Sequence, residues 1–211
     1  HLKLLTQRCI DYGTIKADIW RYIVLWKYGG LYADLDSVPR NFTGDTIQPE
    51  DDSLFVVETY HLLSQYFMSS SAKHPLMYYT IQRSLLKLLE AEDTGQFNAA
   101  LKTGPHALHA GYMAFMQDVG VLVELPRTKP IKAGLFVGTN NRSVTVIGLG
   151  GKQSNEFVMR EEIKLGEKLN NYKKMNMTHN QEDKKHPSGH SCFSALYQGF
   201  VNNEKVKEIT Q

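Results

Sequence analysis

Apolar residues near the start of the chain recur at the spacing of one face of an α-helix. Five of them occupy positions i, i+4, i+7, i+8 and i+11: Ile15, Ile19, Tyr22, Ile23 and Trp26. This period is typical of an amphipathic helix that packs its apolar face on a core. Because Gly29 and Gly30 follow, and glycine commonly ends a helix, we predict a helix from about Thr14 to Tyr28.

The residues after the two glycines predict a short strand from Leu31 to Leu35. Successive side chains of a strand point to opposite faces, so Asp34 and Asp36 are expected on one side and Leu35 on the other. On the preceding helix, Asp18 and Arg21 are three residues apart and therefore share a face.

The lengths of the helix and the strand predict that these polar residues meet. From Asp18 to Tyr28 the helix spans roughly 15 Å, and from Gly30 to Asp36 an extended chain spans about 13–20 Å. If the chain reverses at the glycines, the two lengths cancel and four side chains converge at one edge: Asp18, Arg21, Asp34 and Asp36. Three carboxylates and a guanidinium can hold a hydroxylated, phosphate-bearing ligand through a cation.

Each of these residues also has an ordinary structural interpretation. Asp18 and Arg21 alone would make a surface ion pair worth about 0.2–0.5 kcal/mol. Tyr32 alone is more often a half-buried aromatic residue of a strand, and Asp34 and Asp36 can cap a turn. The functional interpretation rests on their joint spacing around the two glycines.

That joint pattern resembles a known family. Asp18-x-x-Arg21-Tyr22, followed by Gly29-Gly30-x-Tyr32-x-Asp34-x-Asp36, is similar to the DXD-containing sugar-binding region of glycosyltransferase family 32. The family includes initiating α-1,6-mannosyltransferases and related galactosyl- and N-acetylglucosaminyltransferases. The strong similarity covers residues 14–40, and weaker similarity occurs at Thr103-Gly104-Pro105 and near His186.

The resemblance implies an α/β fold of the GT-A (Rossmann-like) type and a retaining transfer of a hexose from a nucleotide sugar. In such enzymes the residues that match Asp18 and Arg21 grip the donor sugar and its phosphate, and the residue matching Tyr32 lies beside the nucleotide. The residue matching Asp34 meets the ribose and the metal sphere, and the one matching Asp36 ligates Mn²⁺ or Mg²⁺.

Two weaker expectations come from the same resemblance. A Thr-Gly-Pro turn lies near the active site of the family, which makes Thr103 a candidate substrate contact. A carboxyl-terminal His-x-x-Gly-Ser-Trp segment supplies a histidine to the metal shell, and His186 and Gly189 match it. However, His190 stands where serine is usual and no tryptophan follows, so a solvated tail histidine is an equal alternative for His186.

The residue types agree with the implied chemistry. Hard carboxylate oxygens select Mg²⁺ or Mn²⁺ over softer metals, and such an ion stabilises the charge that builds on a departing diphosphate. Arg21 can add a charge-assisted hydrogen bond to a phosphate or hydroxyl group. GDP-mannose is the favoured donor because mannosyltransferases are prominent in the family, and UDP-sugars are alternatives. The expected acceptor is a glycan or glycolipid.

Two other functions compete with this one. Asp34-Leu35-Asp36-Ser37-Val38 also fits the motif of haloacid-dehalogenase-type phosphatases, in which Asp34 would be the nucleophile and Asp36 the acid/base. Those enzymes place the motif after a long buried strand, whereas here only residues 31–33 separate it from the glycines. The third possibility is a catalytically inactive carbohydrate- or nucleotide-binding module with the same fold.

Composition favours one soluble domain. The chain has 211 residues, of which 42% are hydrophobic. Its net charge of only +2 does not indicate a nucleic-acid-binding surface. We expect residues 1–169 to form a GT-A core that lacks its first nucleotide-binding strand, and residues 170–211 to form a polar loop and tail. The expected truncation would leave any membrane anchor outside the chain. Cys9 and Cys192 either pair, if the termini meet, or are free thiols.

Three sequons favour the lumen of the Golgi or secretory pathway, at Asn41, Asn141 and Asn176.

The remaining pattern predicts further elements. They are a strand at Ser53–Glu58, a connection at His61–Ser71, a helix from His74-Pro75 to about Glu92, a helix opened by Pro105, a strand at Val121–Glu124, a hairpin of Leu135–Val137 with Val144–Ile147, a helix at Glu161–Leu169 and a polar loop at Asn170–Gly189.

Overall fold

The structure is a computed structural model that describes residues 13–57, 62–94, 98–118, 120, 125, 132–137, 142–147 and 158–160. Several sequence predictions lie outside these residues: Cys9, Val121–Glu124, Glu161–Leu169, Asn170–Gly189, His186 and Cys192. The division of the chain at residue 169 also lies outside them and stays a prediction.

The described residues form four α-helices and seven strands. The helices are α1 (Gly13–Tyr28), α2 (Pro75–Thr94), α3 (Ala99–Lys102) and α4 (Pro105–Asp118). The strands are β1 (Gly30–Ala33), β2 (Ser37–Pro39), β3 (Ser53–Val57), β4 (Leu63–Ser70), β5 (Lys132–Val137), β6 (Ser143–Ile147) and β7 (Val158–Arg160). A 3₁₀-helix spans Gly44–Thr46. Among the described residues, no helix combines the length and the apolar character that a membrane span requires.

Five strands make one mixed sheet, which confirms the predicted α/β fold class. Their order is β1-β4-β3-β6-β5, in which β3 and β6 are parallel and the other neighbours are antiparallel. The predicted hairpin is present as the antiparallel pair of β5 and β6. A separate two-stranded ladder joins β2 to β7.

The core lies between the sheet and the helices α1, α2 and α4. All five residues of β3 are buried, as a strand covered on both faces requires. The apolar stripe of α2 (Met77, Ile81, Leu85 and Leu88) is buried in the same cluster, as its helical spacing predicts. Helices α2 and α4 approach closely because Gly111 has no side chain, and a Cβ there would lie 2.7 Å from Cα of Thr80.

The glycine reversal after α1 is present as predicted. Gly29 has φ +70° and Gly30 has φ +106°, which are backbone conformations that favour glycine. A Cβ at Gly29 would also lie only 2.7 Å from the backbone nitrogen of Ala72. The chain then turns back along α1 as β1, whose Gly30 pairs with Ser70 of β4.

The predicted strand is too long at its carboxyl end. Strand β1 ends at Ala33, and the amide of Ser37 donates to the carbonyl oxygen of Asp34 at 2.9 Å. That hydrogen bond closes a four-residue turn. Asp34 and Asp36 therefore lie in a turn rather than on one face of a strand, and Leu35 at its corner is 89% exposed.

The predicted connection at His61–Ser71 is wrong, because it contains β4, a strand paired on both sides. Its sequence is rich in serine and reads as polar, yet Ser64 and Ser70 are buried. Pairing with β1 on one side and β3 on the other satisfies the backbone of β4. Tertiary pairing, rather than side-chain propensity, creates this strand.

The start of α2 is held by a buried histidine. The Nδ1 atom of His74 accepts a hydrogen bond from the amide of Leu76 at 3.1 Å, and Nε2 lies 3.1 Å from the carbonyl oxygen of Ser143 and 3.3 Å from Asp52 Oδ2. Burial lowers the pKa of His74 to about 4, against the opposing effect of Asp52. The ring therefore stays neutral near pH 7 and joins α2 to β6.

We expect Gly29→Ala to destabilise the fold. A left-handed conformation costs an ordinary residue about 1–2 kcal/mol, and the overlap with Ala72 adds to this. The free energy of unfolding, measured by urea denaturation, should fall by at least about 2 kcal/mol. The control is Gly44→Ala, where a Cβ meets no atom within 4 Å, so the change should stay within about 0.5 kcal/mol. A Gly29→Ala protein as stable as the wild type would contradict the argument.

Candidate functional site

The reversal brings together three of the four polar residues expected to converge. Helix α1 places Asp18 and Arg21 one turn apart, and their exposed fractions are only 5% and 7%. Arg21 Nη2 lies 3.4 Å from Asp18 Oδ1, and Arg21 Nη1 lies 3.0 Å from Asp34 Oδ1. The guanidinium thus joins a carboxylate of the helix to one of the turn. A surface ion pair, the ordinary interpretation of Asp18 and Arg21, does not describe this buried cluster.

Arg21 is held in a single orientation by its surroundings. Its Nη1 also donates to the carbonyl oxygen of Gln65 at 3.1 Å, and its Nε donates to that of Ala17 at 3.4 Å. The Cζ atom lies 4.5 Å from the centre of the Tyr32 ring, a cation–π contact. Tyr32 in turn donates from its hydroxyl to Asp34 Oδ1 at 2.7 Å.

Tyr32 stays a hydrogen-bond donor across the physiological pH range. Burial raises the pKa of Tyr32 first, and the Asp34 carboxylate that its hydroxyl faces raises it further. A protonated phenol therefore holds one oxygen of Asp34. Tyr32 lies beside Arg21 and Asp34, and its expected contact with a nucleotide stays a prediction.

The pKa of Asp18 is set by two opposing effects, burial and favourable contacts. Thr103 donates from Oγ1 to Asp18 Oδ2 at 2.8 Å, and Gln65 provides a second side-chain hydrogen bond. Burial raises the pKa of Asp18 to about 6, although Arg21, Thr103 and Gln65 all lower it. The folded chain therefore holds this proton to a higher pH than a free carboxyl group does, with a pKa of about 6.

Two supporting residues were not identified from the sequence as parts of the site. The hydroxyl of the fully buried Tyr22 lies 2.7 Å from Gln65 Oε1, 3.0 Å from the carbonyl oxygen of Thr103 and 3.3 Å from that of Gly104. Tyr22 directly follows Arg21 in the motif, and that position was the available signal. Gln65 had none, because it lies on the strand that the sequence did not predict.

Thr103 lies behind Asp18 rather than at the surface. It is fully buried, and its amide donates to the carbonyl oxygen of Ala99 at 2.9 Å. Gly104 follows at a position with no room for a side chain, because a Cβ would lie 2.7 Å from Cα of Ala100. Helix α4 then begins at Pro105, as predicted. Thr103 acts on Asp18 in this structure, and its contact with substrate stays a prediction.

Asp36 occupies the third position of the turn and is half-buried. Among the described ranges, no group of three or more His, Cys, Asp or Glu residues is arranged to hold a metal ion. Asp34 and Asp36 nevertheless fit a hard cation, because Mg²⁺ is commonly held by one or two carboxylates together with substrate phosphates. His186, the third predicted ligand, lies outside the described residues.

The phosphatase alternative does not fit the strand before the motif. Strand β1 has four residues, lies at the edge of the sheet, and exposes Gly30, Leu31 and Ala33. The expected phosphatase nucleophile follows a long buried strand. Moreover, Asp34 Oδ1 already accepts hydrogen bonds from Arg21 and Tyr32.

We expect the protonation of Asp18 to make stability depend on pH. Its pKa rises from 3.8 to about 6 on folding, so the folded chain binds more protons between these values. The contribution of Asp18 is fully present below about pH 4 and is lost as the pH rises through 6. Asp18→Asn cannot titrate, so its free energy of unfolding relative to the wild type should rise by on the order of 2 kcal/mol from pH 4 to 7. Urea denaturation at each pH measures this difference in the free energy of unfolding. A difference that stays constant from pH 4 to 7 would contradict the prediction.

Thr103→Val should raise the pKa of Asp18 further, because it removes a hydroxyl that donates to the carboxylate. A hydrogen bond to a charged group is worth about 1.5–3 kcal/mol, so we expect the midpoint to rise by roughly one pH unit. NMR titration of the Asp18 carboxyl carbon measures the midpoint. Thr80→Val is the matched control, since that hydroxyl donates to Leu76 within α2. If the titration midpoint of Asp18 is the same in Thr103→Val and Thr80→Val, Thr103 does not lower the pKa of Asp18.

Comparison with known proteins gives one finding on function. Residues 4–54 match the family described as a glycosyltransferase sugar-binding region containing the DXD motif. The matched segment, about a quarter of the chain, contains α1, the glycine reversal, Asp34 and Asp36. No curated protein matches the chain. The match supports the α/β fold of the GT-A type and indicates a glycosyltransferase with a DXD motif.

Proposed function

We propose that this chain is a retaining, metal-dependent glycosyltransferase that moves a hexose from a nucleotide sugar to a glycan or glycolipid. The observation that carries the proposal is the Arg21 bridge between Asp18 and Asp34. It lies inside the segment that matches a sugar-binding region. A guanidinium flanked by two carboxylates offers both donors and acceptors, which a phosphorylated sugar requires.

The residues of the bridge have complementary tasks in this proposal. Arg21 donates to the phosphate or a hydroxyl group of the donor. Its hydrogen bonds to the carbonyl oxygens of Gln65 and Ala17 fix the orientation of the guanidinium before the donor binds. Asp18 accepts a hydrogen bond from a sugar hydroxyl. Such preorganised groups avoid reorganisation during the reaction, which is the main electrostatic contribution to catalysis.

Asp34 and Asp36 would hold Mn²⁺ or Mg²⁺, with His186 as a further predicted ligand. When bound there, such an ion would supply positive charge to stabilise the leaving diphosphate. Arg21 and Tyr32 both donate to Oδ1 of Asp34, so they would hold this carboxylate in place when the ion binds. The turn presents Asp36 two residues later along the chain.

The donor and the cellular location are the finer parts of the proposal. GDP-mannose is favoured over UDP-galactose, UDP-glucose and UDP-N-acetylglucosamine because of the resemblance to mannosyltransferases. The lumen of the Golgi or secretory pathway is supported by Asn41, an exposed sequon residue in the loop after β2. The sequons at Asn141 and Asn176 lie outside the described residues.

The proposed activity predicts metal-dependent release of nucleoside diphosphate from a donor sugar. In a panel of GDP- and UDP-sugars with Mn²⁺, the wild type should release GDP from GDP-mannose. Asp36→Asn should lower the rate at least about 100-fold, because the leaving diphosphate loses its stabilising ion. Asp118→Asn is the control, as it removes an exposed carboxylate about 20 Å along α4 from Pro105. Circular dichroism confirms that each variant is folded.

The outcomes separate the competing functions. Full activity of Asp36→Asn would show that Asp36 is not a ligand of the metal ion. Binding of the nucleotide sugar without release, measured by calorimetry, would indicate the inactive binding module. Release of phosphate from a simple phosphomonoester, retained in Asp18→Ala and lost in Asp34→Asn, would indicate the phosphatase.

A further inference from the structure

A groove of about 750 Å³ lies between α2 and α4, outside the site described above. On α2 its lining residues Arg83, Lys87 and Glu90 share one helix face, because they are spaced i, i+4 and i+7. The opposite face of α2 carries the buried stripe that includes Leu85 and Leu88. The groove is therefore on the side of this helix turned away from the core.

The groove combines two cationic side chains and two imidazole rings with apolar surface. Arg83 and Lys87 contribute from α2, and His106 and His109 contribute from the first turns of α4. Leu86, Ala110 and Met113 supply apolar surface between them. Glu90 is its one acidic lining residue among those the structure describes. This charge pattern suits an anionic group attached to a body with apolar faces.

The two histidines lie close together at one end of the groove. Burial, followed by the nearby charge of His106, lowers the pKa of His109. The Nδ1 atom of His109 is buried and has no hydrogen-bond partner among the described residues. A buried polar atom without a partner is destabilising, and native structures rarely leave one unexplained.

This end of the groove is joined to the donor site through the backbone. Thr103, whose hydroxyl holds Asp18, is followed by Gly104, by Pro105 at the start of α4, and then by His106. Three residues span at most about 11 Å. The hydroxyl of Tyr22 contacts the carbonyl oxygens of Thr103 and Gly104, which fixes this turn against α1. The first turn of α4, which lines the groove, is therefore held by the same turn that supports Asp18.

We propose that the groove binds the phosphate group of a phosphorylated sugar acceptor, and that Arg83 and Lys87 hold this phosphate. This inference rests on the proposed function and names the chemical class of its acceptor. The volume suits a small molecule of one or a few sugar rings, since ligand pockets enclose about 300–1,000 Å³. A macromolecular partner would require a larger surface.

Binding is tested with mannose 6-phosphate as the probe and mannose as its neutral counterpart. The imidazole NMR signals of His106 and His109 report occupancy of the groove separately from the donor site. We expect mannose 6-phosphate to bind at least about tenfold more tightly than mannose, since a charge-assisted contact adds well over a factor of ten. Equal binding of the two sugars, or no change in either signal with any probe, would overturn the proposal.

Matched variants assign the binding to particular charges. Arg83→Gln/Lys87→Gln should weaken the binding of mannose 6-phosphate at least about tenfold. Lys16→Gln/Lys27→Gln removes the same net charge from α1 and should change it less than about twofold. Glu90→Gln removes the repelling carboxylate and should tighten it by about two- to fivefold. Equal losses in both double variants would show a non-specific charge effect and overturn the proposal.

Two further arms identify the source of the phosphate and separate this inference from the proposed function. Phosphatidylcholine vesicles with and without phosphatidylglycerol test a lipid-borne phosphate. Sedimentation with the anionic vesicles alone, lost in Arg83→Gln/Lys87→Gln, would assign the phosphate to a lipid headgroup. If the wild type releases GDP but its groove binds mannose 6-phosphate no more tightly than mannose, only this inference is overturned. Phosphate-dependent groove binding without GDP release would overturn the proposed function and with it the acceptor role, and would leave the phosphate site itself in place.

Discussion

The arrangement of this site depends on one buried cation that is shared by two carboxylates. Arg21 lies between Asp18 of α1 and Asp34 of the turn after β1, and all three are largely removed from solvent. A buried charge is stable only when paired, and removing one partner of such a pair commonly costs 3–5 kcal/mol. The chain between these residues must therefore reverse sharply, and Gly29 is the position where both the backbone conformation and the lack of space require glycine.

The same cluster connects distant parts of the fold to the site. Asp18 is held by Thr103 before α4, and Arg21 and Tyr22 both contact Gln65 of β4. Burial raises the pKa of Asp18, whereas these contacts lower it, so the charge of the site at neutral pH reflects the packing of several elements. The turn that holds Asp18 continues into α4, which lines the groove, so one turn connects the proposed donor site to the proposed acceptor site.

The local features were predictable because each depends on neighbouring residues alone. Helical spacing of apolar residues predicted α1 and α2, the glycine pair predicted the reversal, and Pro105 predicted the start of α4. The errors share a different cause. The serines of β4 look polar and therefore predict a connection, and the sequence predicts β1 as far as Leu35 because the hydrogen bond from Ser37 to Asp34 leaves no pattern in it.

The sequence alone determined which groups have the chemistry of a sugar-phosphate site, since carboxylates and a guanidinium at fixed spacing across two glycines define charge and hydrogen-bonding capacity. Only the tertiary structure decided their environment. It buried Asp18 and Arg21, placed Thr103 and Gln65 on the carboxylate, and set Asp34 and Asp36 in a turn. The physical reason is that burial and long-range hydrogen bonds depend on which strands and helices pack together, and the spacing of residues along a chain does not specify that packing.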